Sequence, residues 1–508
     1  MIAATTPLLL ALGLFTASTL DAQSLSLELR GGGLAGTTTF EMAGAPNAEH
    51  LLIIALEEMQ TPTPFGFDLD VAPTFLANSF GLPGFYGFLD GSGAATASLS
   101  FPAIPLFEDV LFSFQAVTRD NGVFDVSNLV RLTPQLVGTF AATIDAPAVP
   151  IAGGGHAIAP DGSLLFVGGS GPIAQRYVTN LEEWSTAGAS FGVGLLSQTI
   201  GLNDGRVLFT GGIDVTTGQP TSAAAVYDPA TQQTTTLAMG IARAGHGAAL
   251  LGDGRVLITG GFETLTLTDL TTAFAGLRAS TEIFDPATDT FASGPAMLEP
   301  RALHTSSSLA NGDVLVAGGL SLLPIVNVPT VSATAYRFSP GSGSFGLPAL
   351  MSAGRLMHSA IGLSDGRVLL AGGLSLDFTT FLTSGNLADI VVGTRDDCEV
   401  FGTGAFGLGG FTQVPGLQQG RAGAALATLP GGGALIAGGF ELGIDLTTGT
   451  LQFAATESAD IFHSSNDTLS PTGSMANPRM LATAVNLPDE TVLVVGGGPL
   501  DSEVYQPE

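Results

Sequence analysis

The stretch LLGDGRVLITGG, residues 250 to 261, reads as a strand, a tight turn, a second strand and a glycine pair, and the chain makes it repeatedly. Close copies stand at GLNDGRVLFTGG, SLANGDVLVAGG and GLSDGRVLLAGG. Glycine pairs fall at Gly168-Gly169, Gly211-Gly212, Gly260-Gly261, Gly318-Gly319, Gly372-Gly373, Gly438-Gly439 and Gly496-Gly497, at intervals of 43, 49, 58, 54, 66 and 58 residues. Runs such as RVLIT, DVLVA and TVLVV precede them, rich in residues that pack on a sheet. Before most of these runs sits Asp-Gly or Asn-Gly, which tolerates the positive φ of a hairpin turn.

After each glycine pair comes a segment of variable length, then a third strand ending in an aromatic: Tyr177, Tyr227, Phe284, Phe338, Phe401, Phe462 and Tyr505. A fourth short strand carries Trp184, Phe291 or Phe345, seven positions after its matched aromatic. A lone four-stranded unit leaves edges and faces uncovered, whereas units packed in a ring cover one another. Repetition at this period therefore predicts an all-β fold built on a seven-bladed propeller. The last unit runs out after its third strand, and QLVGTFAATI (Gln135 to Ile144) is the candidate for the strand that completes it.

These units resemble kelch repeats, whose hallmark is a glycine pair followed by a spaced Tyr and Trp; the likeness covers roughly residues 150 to 508, and the second aromatic is Trp only once. The resemblance implies a kelch-type propeller over residues 151–508. Residues 24–130, with SLSLELRGG, TTTFEMAG, LLIIALEE and VLFSFQAV, read as short strands of a small β-sandwich-like domain. Residues 131–150 form linker and closing strand, and the apolar run Pro7 to Phe15 marks residues 1–22 as a signal peptide. The expected destination is secreted, or cell envelope or periplasm.

Acidic residues outnumber basic ones by 44 to 15, every basic residue among the 15 is arginine, and the formal charge is −29. Such a field repels nucleic acid and anionic lipid. Cys398 is the sole cysteine, which excludes an intramolecular disulfide and a Cys-rich metal site.

Two patterns gather where each unit begins its first strand. RAGH, RALH and RLMH pair Arg243 with His246, Arg301 with His304 and Arg355 with His358; Arg421 and Arg479 keep the position without histidine. The five arginines read either as an anion-binding collar at the channel mouth or as ion pairs and carbonyl contacts between neighbouring units. His156, grouped with the three other histidines, reads as packing rather than as a metal site. No cofactor is expected beyond weak calcium affinity at Asp396-Asp397. A sandwich followed by seven such units is similar in outline to the galactose oxidase superfamily, which implies copper held by tyrosines and histidines beside a Tyr–Cys cross-link. The tyrosines here are spent on repeat positions, and Cys398 sits in a third-strand context. The expectation is an exported non-enzymatic binding protein that takes an extracellular glycan or protein on the loops between second and third strands. A structural envelope or matrix protein and a carbohydrate-active enzyme stand as alternatives.

Overall fold

The computed structural model describes residues 25–507 except 31–32, 35–36, 57, 63–67, 73–78, 81, 102–109, 150, 152–154, 160–161, 168–172, 180, 190–193, 215, 266–273, 324–327, 385–388, 404–408 and 445–450. The expected signal peptide and the first glycine pair lie outside the described residues. What is described is all-β, with one named helical turn at Phe381–Ser384.

Two antiparallel sheets come first. Ser26–Arg30, Thr37–Ala43 and Ala94–Ser100 form one; Glu49–Ala55, Tyr86–Phe88, Phe112–Asp120, Val123–Val126 and Val130–Leu132 form the other. Thr37–Ala43 alternates buried and outward residues, so Thr38, Phe40 and Met42 point inward, as a strand with one wet face must. Phe40 meets Phe114 of the facing sheet at 4.4 Å between ring centroids, within one apolar core.

Among the described residues, seven further sheets each carry four strands in the order a-b-c-d. Their inner strands are Gly155–Ile158, Gln198–Gly201, Gly247–Leu250, Thr305–Ser308, Ser359–Gly362, Ala425–Thr428 and Thr483–Asn486. Each lies against the next, and the seventh returns to the first. Strand b is buried throughout, as in Val256–Thr259, because apolar neighbours cover both of its faces. The c and d strands bring matched aromatics directly opposite each other: Tyr177 with Trp184, Phe284 with Phe291 and Phe338 with Phe345. Their ring centroids are 5.0–5.3 Å apart. In the seventh sheet the outer strand is Thr139–Ala142, which pairs with Ser502–Gln506 and sets Phe140 against Tyr505 at 4.8 Å.

The glycine pairs latch one sheet to the next. The second glycine donates its N–H to a carbonyl just before the following sheet: Gly212 to Arg243, Gly261 to Arg301, Gly319 to Arg355 and Gly373 to Arg421 at 2.8 Å, and Gly439 to Arg479 at 2.7 Å. The first glycine lies so close to the same carbonyl that a Cβ on Gly260 would stand 2.3 Å from the Arg301 oxygen, at φ +62°. Both left-handed backbone and lack of room therefore demand glycine there.

Gly260→Ala is expected to lose at least ~2 kcal/mol, from strain plus a broken latch. Gly218→Ala, at φ +67° with nothing within 4 Å of the added Cβ, carries the strain alone and should lose about 1 kcal/mol. Urea unfolding of both proteins measures the difference; equal losses would remove the latch.

Candidate functional site

The arginines of the expected collar are among the most buried side chains in the molecule: Arg243, Arg301, Arg355, Arg421 and Arg479 are each 0–1% exposed. Each Nη1 donates to the carbonyl of the first glycine of its own sheet, 17 residues on. Carboxylates complete the set. Arg355 Nη2 meets Asp397 at 2.6 Å and Glu399 at 2.7 Å, Arg421 meets Asp460 at 2.9 Å, and Arg479 meets Glu503 at 2.8 Å. Arg243 meets Glu282 and Arg301 meets Glu299, both at 3.1 Å. The collar reading is corrected accordingly. An anion at the mouth would have to displace buried partners, and such pairs are costly to break. Asp397 is also held by Arg395 at 2.7 Å, which ties up the carboxylate expected to attract calcium.

The histidines are divided by register. His246, His304 and His358 are buried just before strand a, and each Nε2 lies 2.8 Å from a threonine of the preceding sheet, Thr210, Thr259 and Thr305 respectively. Their Nδ1 atoms have no partner. The Nε2–H tautomer suits this setting, because it leaves only a lone pair unsatisfied. Burial pulls His246 and His358 down to about 3 and His304 well below its usual range, so the three stay neutral. His156 does not belong with them. It pairs with Phe166 inside strand a, two positions further along than His246 in the equivalent register, and it faces the axis.

Just before strand a, backbone bonds run from sheet to sheet around that axis. Gly245 N donates to Leu196 O, Leu303 N to Gly245 O, Met357 N to Leu303 O, Gly423 N to Met357 O and Leu481 N to Gly423 O, over 2.7–3.1 Å. All six residues have φ between +50° and +62°, although four carry side chains. Gly423 and Leu481 of this belt also line a cavity of about 460 Å³, whose uncharged wall sets Ser197, Gln198, Thr199, Ser359 and Thr483 among alanines and leucines. His156 is the one titratable group among its described lining residues. It is half-buried, has no hydrogen bond to the described residues, and is held by burial at about 4, so its ring is neutral at pH 7.

The b–c loops, expected to be a recognition rim, are largely occupied with one another. Arg301–Ala302, Leu320–Leu322 and Pro329–Val331 form a small sheet, while Leu374–Asp377 pairs with Val391–Thr394 and Phe440–Ile444 with Leu451–Ala455. Phe262, Phe274, Leu320, Phe378, Phe381 and Ile390 share one apolar cluster drawn from three sheets, with Phe274 and Phe378 edge-on at 5.7 Å. The loops thus roof the face where the glycine pairs lie.

No protein-family model matches the sequence, and no curated protein matches it. Among solved structures, the chain is similar to a fungal alcohol oxidase described as catalytically diverse among the AA5 family and solved in complex with copper. The identity is 17%, the TM-score 0.53, and the match covers 73% of this chain and 76% of that one. The likeness is one of fold alone: an all-β, propeller-like outline. It corrects the expectation of a non-enzymatic binder on the loops, because the protein that shares the outline is an enzyme and nothing in the site favours non-enzymatic binding.

The copper chemistry of that neighbour does not carry over. Tyr227 donates to Ala187 O, Tyr336 to Glu299, Tyr86 to Glu49, and Tyr505 bonds Thr472. Tyr177 is buried beside Trp184, away from any histidine of the axis. Cys398 is fully buried in strand c, its thiol pushed up to about 12 by burial. Among the described residues no three His, Cys, Asp or Glu side chains converge as metal ligands. The residues present do not fit a copper-radical centre.

The buried histidines set an acid limit. In the unfolded chain they take a proton near pH 6.5; in the folded chain His246 and His358 do so only near pH 3. Stability is therefore complete above about pH 6.5 and falls as the pH drops, by about 2 kcal/mol per histidine at pH 5. Thermal unfolding at pH 7 and pH 5 should show His246→Gln/His358→Gln losing less on acidification than the parent; parallel losses would assign the acid sensitivity to other groups.

Proposed function

We propose that the seven sheets form a closed, seven-bladed, kelch-type propeller whose axial channel is the working site. In this reading the channel takes a small, neutral, polyol-sized molecule and holds the imidazole of His156 against its hydroxyls as a proton acceptor. The observation that carries it is the combination of a cavity of about 460 Å³, an uncharged wall with a few hydroxyl and amide groups, and one neutral imidazole with no hydrogen bond to the described residues. Ligand pockets have this size and this sparse set of directed polar groups. A neutral imidazole within reach of a ligand hydroxyl meets the first requirement of general base catalysis. The alcohol-oxidase neighbour supports the choice of a hydroxyl-bearing ligand, while the donor set argues for chemistry without copper. In the same reading residues 24–130 are a separate sandwich-like module joined through 131–150 to a propeller over 151–508, and the apolar run Pro7 to Phe15 directs export.

A panel of small neutral polyols and hydroxycarbonyl compounds, followed by calorimetry and by proton NMR for turnover, tests this. At least one should bind saturably, and His156→Ala should weaken binding or turnover by on the order of tenfold with the fold unchanged. Binding indifferent to His156, or alcohol oxidation that requires added copper, overturns the reading.

A further inference from the structure

The sandwich-like module meets the first and seventh sheets around a second, much smaller cavity of about 20 Å³, room for one water-sized occupant. Its wall is rich in oxygen. Glu182 comes from the c–d turn of the first sheet and Asp489 from the a–b turn of the seventh; Thr133 and Gln135 come from the segment leading into the closing strand, and Tyr177 from beneath. Tyr177 Oη, Thr133 Oγ1 and Gln135 Oε1 are buried without a hydrogen-bond partner among the described residues, and the Tyr177 residue is 0% exposed. A buried polar atom left unpaired costs about 1–3 kcal/mol. Three around one small cavity point to an occupant.

Charge decides its sign. Glu182 and Asp489 bring two carboxylates to the wall that Tyr177 shares, on a cavity with room for one small occupant. The local cation, Arg131, also lines the cavity, but its guanidinium is already committed. It holds Glu58 at 2.6 Å, and its Nη1 reaches Glu183 at 2.7 Å and Leu181 O at 2.6 Å. Among the described residues no ion pair reaches Glu182 or Asp489, because Arg131 is spent on Glu58 and Glu183. One oxygen of Asp489 accepts from Thr491 N and Oγ1, and the Glu182 carboxylate accepts from the Ile144 N–H.

We propose that this cavity is a calcium site that staples the sandwich-like module and the closing strand to the first and seventh sheets. Two carboxylates, an amide oxygen and hydroxyl oxygens are the hard donors calcium takes in irregular geometry. Magnesium keeps several of its waters, for which a cavity of this size has no room. Thiolate and imidazole, the donors of softer metals, are absent from the described wall.

The test uses the full chain stripped with chelator and titrated with calcium chloride alone. Calorimetry should give one saturable site, with a calcium-dependent rise in Tm that equal magnesium does not reproduce. Glu182→Gln/Asp489→Asn should abolish both. Gln135→Met, which keeps shape and removes one donor, should weaken binding by on the order of tenfold without unfolding the protein. No saturable site in the parent overturns the proposal, as does binding that persists in the double variant, which would assign the calcium to scattered surface carboxylates. If the double variant does not fold, an unchanged affinity in Gln135→Met overturns it alone.

Discussion

Five seams of the seven-sheet body hang on a carbonyl held in a corner. The backbone oxygen of the arginine just before strand a accepts from the glycine pair of the sheet before it, while that arginine's guanidinium binds the first glycine carbonyl of its own sheet. One residue thus joins a seam to a sheet, its main chain bonded to the preceding neighbour and its side chain anchored in its own sheet. The glycines supply a left-handed backbone and the space; the arginine supplies five donors in a rigid fork. Burying that charge is expensive, and it is tolerated because carbonyls, hydroxyls and a carboxylate surround it. In a chain with no lysine, the choice has a physical basis: a flexible ammonium could not reach a carbonyl, a hydroxyl and a carboxylate from one planar group.

In the proposed reading, the same seam leaves the axis, rather than the rim, for chemistry. Histidine and threonine are consumed in bonds between sheets, arginine side chains in bonds within their own, and the long b–c loops in roofing one face. What escapes this economy is His156, whose register in the first sheet differs from that of its counterparts, and the hydroxyl-bearing inner strands around it. Departures from a repeat are informative because the repeat accounts for everything that follows it.

The hairpins were legible because glycine, Asp-Gly and β-branched runs act locally, and local rules survive into the fold. Aromatic spacing was legible for the same reason, since Tyr177 and Trp184 must face each other across one tight c–d turn. Phe401 and Phe411 do the same at a spacing of ten, which a fixed spacing of seven misses. The arginines were visible as a pattern with two readings, an anion collar or ion pairs and carbonyl contacts, and the choice was not legible because a guanidinium 17 residues from its acceptor carries no sign of burial in the sequence. His156 was misplaced among the other histidines because a two-residue slip along a strand keeps the face but changes the neighbours. The cavity of Glu182 and Asp489 was invisible, for its walls come from segments more than 300 residues apart.

Thr139–Ala142 and Glu503–Gln506 hydrogen-bond as neighbours although the whole body lies between them along the chain. Bringing such remote segments together costs about 5 kcal/mol in loop entropy before any contact is made. During synthesis the closing strand waits, unpaired, until residue 506 has left the ribosome, and folding of the last sheet is necessarily late and slow. Once joined, the seam works in reverse: no sheet of the body can peel away from an end without first parting this pair, so the molecule resists unfolding longer than its free energy alone would suggest.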